Sequence, residues 1–393
     1  MKYYLVGIKG SGMSALARLL INDGEEVRGA DSSIFYFTQE NLNCQIDEFK
    51  DVVYDDSFFY IIGNAYINSN VHKMIKKRKL KYYLYPSFIN EYAKNYTLIC
   101  VSGSHGKTST CTFLRQMMEC KYIVGDGEGG GKGNYLVLEA CEYKRVFLNY
   151  NPDVLLILNI DFDHPDYYLD EEDYFNAFLS LSKKSKFVIT NGDDEFCKRI
   201  PSYRYGTLKG NDYIFDIEEM KKSFPFSGNH YIYDYVGALC VLKYLNIKPK
   251  NITFLPKRRM ETLMLTKGII IADYAHHPSE INCVYLSIIE KFPHKKIICV
   301  FEPHTISRTK KFLSKFKESL SLFDQTFLLP IYTSVRENEN SIEENNLYEY
   351  LNYPLIKQDE IEKLISLNCV LLLLGAGNIY NIFLNIKQKW LKR

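Results

Sequence analysis

A glycine-rich stretch near residue 105 carries the residue types that bind nucleotide phosphates. An apolar run at 98–102 leads into Gly103, Ser104, His105, Gly106, Lys107 and Thr108, and a helix is predicted from there to about residue 118. Glycines let backbone amides close around phosphate oxygens, the lysine reaches the outer phosphates, and the threonine hydroxyl suits Mg²⁺. Only two residues separate the glycines, where kinase and GTPase loops have four. The stretch predicts an ATP-binding loop of another kind, with a plain glycine turn as the alternative.

Two glutamates and one histidine lie at or just after the ends of other predicted strands in the same region. Glu139 ends the strand at 135–139, and His164 follows the strand at 154–160. The carboxyl ends of parallel strands form the ligand-binding edge of an α/β sheet, so these two can flank one ATP. Taken alone, they also fit a solvated carboxylate and a helix-start histidine. Glu142 either orients the loop or pairs with Lys144 or Arg145.

A second glycine turn follows the first predicted strand. Gly7, Gly10 and Gly12 have the spacing G-x-x-G-x-G, and Asp31 ends the second strand. The rival interpretation is an NAD-binding fingerprint, but that motif is G-x-G-x-x-G, and two residues stand here where it has one. The spacing therefore disfavours a dinucleotide.

These motifs lie on alternating strands and helices, which predict parallel sheets. The predicted strands are 3–8, 26–29, 58–63, 82–85, 98–102, 135–139, 154–160, 187–190, 269–272, 297–301, 325–329 and 370–374. The predicted helices include 13–21, 67–79, 172–182, 278–292 and 307–322. With a polar linker at 248–256, the pattern predicts three α/β domains at 1–96, 97–252 and 253–393. The glycine cluster at 125–133 is predicted to be a mobile loop.

Composition narrows the class of protein. The 393 residues carry a net charge of only +2, which gives no general field for nucleic acid. No apolar run is long enough to span a bilayer, and the first residues have no long apolar segment before Gly7, so we expect no export. The ten cysteines show no C-x-x-C pair or metal-ligand spacing, which fits reduced thiols. We expect a cytoplasmic protein that binds small molecules, with no nucleic-acid partner and no membrane span; a homodimer stays open.

Eight motifs occur along the chain in one order. They read GIKGSGMSALA, GSHGKTST, LEACEYKR, NIDFDHPDYY, SGNH, RRMETL, ADYAHHPSEI and FEPHTISRT. In this series the chain resembles the Mur ligase family over nearly its whole length. The resemblance implies an N-terminal Rossmann-like domain for the UDP-sugar, a central P-loop ATPase-type parallel sheet and a C-terminal Rossmann-like domain for the amino acid and nucleotide.

The resemblance also implies roles for individual residues. ATP would bind Gly103, Ser104, His105, Gly106, Lys107, Thr108, Ser109, His230 and Asp273, the last at the ribose. Mg²⁺ would be held by Thr108, Glu139 and His164. The UDP-sugar would bind Gly7, Gly10, Ser11, Gly12 and Asp31. The amino acid would bind Tyr274, His276, His304 and Arg308. The catalytic set would be Lys107, Glu139, His164, His304 and Arg308.

Position 178 bears on the branch of the family. Later-acting members resemble one another in a carbamylated lysine there, whereas this chain has Phe178. The resemblance therefore implies the branch that joins L-alanine to UDP-N-acetylmuramate, using ATP through an acyl phosphate. One alternative is a sister ligase that attaches a preformed tripeptide to the same sugar nucleotide. Another is a non-catalytic nucleotide-binding partner in a cell-wall complex.

Three positions depart from the family pattern. Tyr231 and Asp234 stand where family members usually carry asparagines, which affects the adenine contacts. Thr305 stands where they often carry arginine, which leaves the alanine carboxylate to Arg308.

Overall fold

The computed structural model describes residues 1–34, 36–266, 268–332, 341–366 and 368–391. Within them the chain has three sheets flanked by helices, which confirms the predicted three-domain α/β fold. Two compact units are formed. The first comprises Met1–Asp161, Glu171–Met220 and Tyr233–Phe254, and the second comprises Phe162–Asp170, Lys221–Ile232 and Leu255–Arg393. The boundaries near 96 and 252 stay predictions. No helix in the described ranges is long and apolar enough to cross a membrane.

The first sheet is parallel, with strand order β3-β2-β1-β4-β5. Its strands are β1 (Lys2–Val6), β2 (Glu26–Asp31), β3 (Gln45–Glu48), β4 (Phe59–Ile62) and β5 (Tyr82–Leu84). Its helices are α1 (Ser11–Asn22), α2 (Asn70–Lys77) and α3 (Tyr85–Ala93). The central strands are apolar because both faces are covered. Tyr4, Val6, Tyr60 and Ile62 form part of that core.

The second sheet has eight strands in the order β13-β12-β11-β10-β6-β9-β7-β8. Its strands are β6 (Thr97–Ser102), β7 (Lys121–Ile123), β8 (Gly129–Gly131), β9 (Tyr135–Glu139), β10 (Val154–Ile157), β11 (Phe187–Asn191), β12 (Tyr203–Gly206) and β13 (Tyr213–Ile214). The helices are α4 (Lys107–Met117), α5 (Glu171–Ser182), α6 (Ile217–Lys221) and α7 (Asn229–Tyr244). β6 lies between β9 and β10 and is parallel to both, so their carboxyl ends meet at one edge.

The third sheet has the order β14-β15-β18-β16-β17, with only β14 antiparallel to its neighbour. Its strands are β14 (Glu261–Leu265), β15 (Gly268–Asp273), β16 (Lys296–Phe301), β17 (Gln325–Leu328) and β18 (Cys369–Leu374). Its helices are α8 (Pro278–Lys291), α9 (Ile306–Lys311), α10 (Leu313–Leu320), α11 (Ser341–Leu351) and α12 (Ile379–Leu391). Short 3₁₀ turns occur at Phe37–Gln39, Phe49–Asp51, Asn64–Tyr66, Tyr143–Asn149, Cys197–Arg199 and Gln358–Leu364.

Two predicted helices differ from the observed ones. The helix predicted at 67–79 begins only at Asn70, because Ser69 caps it by accepting a hydrogen bond from the His72 amide at 3.2 Å. The helix predicted at 307–322 is two helices, because the backbone at Phe312 leaves helical geometry with φ −109° and ψ 22°. Local caps and kinks of this kind leave little trace in apolar periodicity.

The glycine cluster is not the mobile loop that its composition predicted. Gly129–Gly131 forms β8, which pairs antiparallel with β7 and packs on α1. A Cβ atom on Gly129 would lie 1.9 Å from the Ala15 carbonyl oxygen. The small residue is needed because the strand backbone approaches the helix too closely for any side chain.

Candidate functional site

The phosphate loop connects β6 to α4, as predicted. Gly106 is the residue before the helix and has φ +83°, a conformation that favours glycine. A Cβ atom on Gly106 would also lie 2.2 Å from an Asp234 carboxylate oxygen. The first amides of α4 have no carbonyl partner within the helix, so they can donate to an anion. Ser109 lies buried in this first turn.

Asn159 holds the loop in place and was not identified from the sequence. Its side chain accepts a hydrogen bond from the His105 amide at 2.9 Å and donates one to the His105 carbonyl at 3.1 Å. The Ser104 hydroxyl lies 3.0 Å from the Tyr174 hydroxyl and accepts from the Asp161 amide at 2.9 Å. The only sequence signal for Asn159 was a polar residue inside the otherwise apolar run predicted as the strand 154–160.

Lys107 is paired with Glu142 inside the first unit. The Nζ atom lies 2.9 Å from a Glu142 oxygen, and their side chains are 12% and 2% exposed. It also donates to the carbonyls of Gly103 and Ser104, the latter at 3.0 Å. Burial alone would lower the pKa of Lys107, but the carboxylate of Glu142 raises it above its ordinary value. Of the interpretations offered for Glu142, contact with the loop is observed, and the Arg145 side chain forms an ion pair with Asp173.

Glu139 and Thr108 come together at the carboxyl edge of the second sheet. The Thr108 hydroxyl donates to Glu139 Oε2 at 2.9 Å, and the Gly125 amide donates to the same oxygen at 2.7 Å. Burial raises the pKa of Glu139, while the Lys107 charge and these two donors oppose the rise. A hydroxyl beside a carboxylate supplies the oxygen ligands that Mg²⁺ prefers.

The glycine turn of the first sheet is held by Asp31. The buried carboxylate accepts hydrogen bonds from the Lys9 amide at 2.8 Å and the Ser32 amide at 2.7 Å, and from the Tyr66 hydroxyl at 3.2 Å. Gly7 has φ +84°, and α1 begins at Ser11 after Gly10, with Gly12 in its first turn. The predicted sugar-nucleotide residues therefore surround one helix N-terminus.

In the second unit, the four predicted amino-acid residues form a continuous row. The ring centres of Tyr274 and His276 are 5.0 Å apart, and those of His276 and His304 are 5.6 Å apart. His304 Nδ1 lies 3.2 Å from an Arg308 nitrogen. Burial and then the Arg308 charge hold the pKa of His276 well below its usual value. Glu280, not foreseen, accepts from the His276 amide at 3.0 Å.

Asp163 is the partner of Arg308 and was missed from the sequence. Two hydrogen bonds of 3.0 Å join the guanidinium to the two carboxylate oxygens, and both side chains are buried. Burial alone would raise the pKa of Asp163, but Arg308 holds it well below its usual range. The predicted metal ligand His164 follows directly, with φ +58° and its amide bonded to Asp163 at 2.7 Å.

The two remaining predicted ATP residues also lie in the second unit. Asp273 ends β15 and accepts from the amides of Met260 and Ala275 at 2.8 Å each. Arg259 lies 3.7 Å from its carboxylate, and burial raises the pKa of Asp273. His230 stands in the first turn of α7, with its ring 3.9 Å from that of Tyr231.

The predicted site residues thus gather into two sets. The first unit brings together the phosphate loop with Glu139, and also carries the first-sheet glycine turn with Asp31. The second unit contains His164, His230, Asp273 and the row from Tyr274 to Arg308.

Comparison with known proteins matches most of the chain to one family. Three family models match in order: "Mur ligase family, catalytic domain" over residues 2–96, "Mur ligase middle domain" over 128–242, and "Mur ligase, glutamate ligase domain" over 258–373.

Solved structures with a similar fold include three peptide or amino-acid ligases. The UDP-N-acetylmuramate-alanine ligase of Thermotoga maritima has TM-score 0.79 and 20% identity, with 100% of this chain and 99% of that one covered. A murein peptide ligase of Psychrobacter arcticus has TM-score 0.70 and 19% identity, with 99% and 98% covered. A pseudomurein peptide ligase type C of Methanothermus fervidus has TM-score 0.63 and 17% identity, with 98% and 100% covered.

Fold and loop together define an α/β enzyme that uses a nucleoside triphosphate, with its phosphate loop between β6 and α4. The three matched domain models, in this order along the chain, identify the family of enzymes. The chain belongs to the Mur ligase family, and is an ATP-dependent ligase that forms amide bonds in the synthesis of peptidoglycan precursors.

Proposed function

We propose that this ligase joins L-alanine to the lactyl carboxylate of UDP-N-acetylmuramate, with release of ADP and phosphate. The observation that carries the proposal is the packing around Phe178. Its buried ring lies 5.2 Å from Phe147 and 5.1 Å from Tyr174. An aromatic cluster fills the position at which later-acting family members resemble one another in a carbamylated lysine, so this chain fits the alanine-adding branch.

The first half of the reaction makes an acyl phosphate. A carboxylate oxygen of the sugar nucleotide attacks the γ-phosphorus of ATP, the bond to the bridging oxygen breaks, and ADP leaves. Two negatively charged groups must approach, so a fixed cation and preorganised donors lower the barrier. Lys107 supplies the cation, and the first amides of α4 supply the donors. The pair with Glu142 keeps Lys107 protonated before nucleotide binds.

Thr108 and Glu139 are the residues of the first unit that would hold Mg²⁺, and His164 is the third candidate. The hydroxyl and carboxylate already lie 2.9 Å apart, and the Gly125 amide fixes the carboxylate. The bound ion would neutralise phosphate charge. We assign the glycine turn of Gly7, Gly10, Ser11 and Gly12 to the UDP diphosphate, because it ends at a helix N-terminus.

The second half forms the amide bond. The amine nitrogen attacks the carbonyl carbon of the acyl phosphate, and phosphate leaves from the tetrahedral intermediate. We assign the amine donor to the row Tyr274, His276, His304 and Arg308. Arg308 uses Nε and Nη2 on Asp163, and its Nη1 lies 3.2 Å from His304 Nδ1, so we assign the second N–H of Nη1 to the alanine carboxylate. His276 stays neutral near pH 7, as an acceptor for an amine proton must.

The test measures phosphate release from MgATP and UDP-N-acetylmuramate with L-alanine, with L-Ala-γ-D-Glu-meso-diaminopimelate, or with no amine. The proposal predicts release with alanine only. Release with the tripeptide alone would favour the sister ligase that attaches a preformed tripeptide to the same sugar nucleotide. ATP binding without release under any condition would favour a non-catalytic partner.

A further inference from the structure

Arg18 on α1 contacts three separate backbone segments of the first unit. Its Nη1 atom donates to the Gly127 carbonyl at 2.8 Å and to the Ser14 carbonyl at 3.4 Å. Its Nη2 atom donates to the carbonyls of Thr38 at 2.9 Å and Glu40 at 2.6 Å. These four acceptors are neutral backbone oxygens, so the guanidinium holds backbone segments in place and does not neutralise a charge. A planar fork with five N–H donors suits this task better than an ammonium group.

Through Thr38, Arg18 is linked to the glycine turn of the first sheet. The Thr38 hydroxyl donates to the carbonyl of Lys9, which lies inside that turn. The Lys9 amide is bound to Asp31 at 2.8 Å, and its Nζ donates to the Ser32 carbonyl at 2.7 Å and the Ile34 carbonyl at 2.8 Å. Lys9 and Arg18 together fix the segment that follows β2 against the proposed sugar-nucleotide turn.

Through the turn at Gly127, Arg18 is also linked to Glu139. The Gly127 amide closes a turn onto the Val124 carbonyl at 3.1 Å, and the Gly125 amide of the same turn donates to Glu139 at 2.7 Å. A Cβ atom on Gly127 would lie 2.9 Å from the Ser14 hydroxyl, so the turn packs directly on α1. The position of this carboxylate therefore depends on a turn that Arg18 holds from the first sheet.

We propose that Arg18 is a positioning residue. It holds the sugar-nucleotide turn and the carboxylate of Glu139 in a fixed position relative to each other. The inference rests on the proposed function, because the reacting carboxylate of the sugar nucleotide must meet the γ-phosphate beside Glu139. Arg18 needs no contact with substrate for this role; it aligns the two halves of the first unit that hold the two reactants.

The test compares Arg18→Met with Lys121→Met. Lys121 also joins the first and second sheets, through Asp23 at 2.6 Å and Tyr92 at 2.8 Å, but among the described residues its side chain has no hydrogen bond to the turn at Gly127 or to the segment after β2. With Arg18→Met, we expect the KM for UDP-N-acetylmuramate and the Mg²⁺ concentration for half-maximal rate to rise about tenfold each. With Lys121→Met, both should stay within about twofold, as a merely structural contact predicts.

Hydrogen exchange gives a readout that needs no turnover. In Arg18→Met the peptide 123–131, which includes the Gly125 amide, should exchange faster, whereas in Lys121→Met it should match the wild type. Arg18→Lys keeps the charge but not the fork, so both kinetic constants should stay raised even where stability is restored. Equal constants and equal exchange in the two methionine variants would overturn the proposal. Wild-type protein that makes no product with any amine would instead refute the proposed function, and the exchange comparison would still decide the role of Arg18.

Discussion

At the scale of single residues, the buried pair of Lys107 and Glu142 stabilises the loop to which we assign the ATP phosphates. Lys107→Ala leaves a carboxylate buried without its cation, so we expect the free energy of unfolding to fall by about 3 kcal/mol. Phosphate release should fall about a thousandfold, because the fixed cation at the phosphates is lost. Urea unfolding and the phosphate assay measure the two effects.

The double variant Lys107→Ala/Glu142→Gln separates the two effects of this substitution. It should recover much of the lost stability and none of the activity. Lys186→Ala, at a surface pair with Asp153, is the control and should change neither quantity appreciably. Recovery of activity in the double variant would contradict the role given to Lys107.

His276 makes stability depend on pH. Its pKa in the folded protein lies well below the unfolded value of about 6.5, so below that pH the unfolded chain binds a proton that the folded one does not. Stability is therefore lost as the pH falls through 6.5. Between pH 7.5 and 5.5, His276→Gln should lose about 1 kcal/mol less than the wild type.

The measurement for His276 is urea unfolding at the two pH values. His294→Gln, at an exposed histidine, serves as the control and should follow the wild type. If both variants lost the same stability as the wild type, the folded His276 would have to be protonated at pH 5.5.

Residue types in short motifs predicted side chains that the structure brings together, whereas their roles in binding and catalysis stay predictions. Within their units, Thr108 of the phosphate loop contacts Glu139, and the row from Tyr274 to Arg308 is continuous. Their partners were not predictable, because Asp163 and Arg308 are 145 positions apart. Local spacing carries no information on a pair that only tertiary packing creates.

At the scale of secondary-structure elements, a substitution in β8 tests whether this strand of the second sheet packs closely on α1, the helix beside the first sheet. Gly129→Ala would push a methyl group into the Ala15 carbonyl, which is backbone and cannot rotate away. We expect a loss of about 3 kcal/mol in the free energy of unfolding. Gly210→Ala is the control, because its Cβ would meet nothing within 4 Å and only φ +98° opposes it, at a cost of about 1 kcal/mol.

Thermal and urea unfolding of the two alanine variants decide between close packing and a mobile loop. If Gly129→Ala were no less stable than Gly210→Ala, β8 would not be packed on α1, and the mobile loop predicted from composition would be the better description.

Strands were the elements best predicted from the sequence. The run at 98–102 is apolar up to Ser102 and the run at 370–374 is apolar throughout, because parallel strands are covered on both faces, and both are observed in β6 and β18. The glycine strand was missed because its stability comes from contact with α1 and not from its own side chains. The break at Phe312 was missed for a similar reason, since it interrupts an otherwise helical pattern.

At the scale of the whole molecule, nucleotide binding should stabilise the fold. A ligand that binds only the folded chain adds about 2.7 kcal/mol at a concentration 100-fold above its Kd. We expect MgATP to raise the melting temperature of the wild type and to have little effect on Lys107→Ala. An equal rise in both, measured by calorimetry, would place the nucleotide away from the phosphate loop. The homodimer and the domain boundaries near 96 and 252 stay predictions.

The alanine assignment is tested most directly by mass spectrometry of the sugar nucleotide after incubation with MgATP and L-alanine. We predict that UDP-N-acetylmuramate gains the mass of one alanyl residue, with one phosphate released for each product formed, and that Lys107→Ala gives no product. An unchanged sugar nucleotide with alanine, together with a product that carries the whole tripeptide when that donor is supplied, would contradict the alanine assignment.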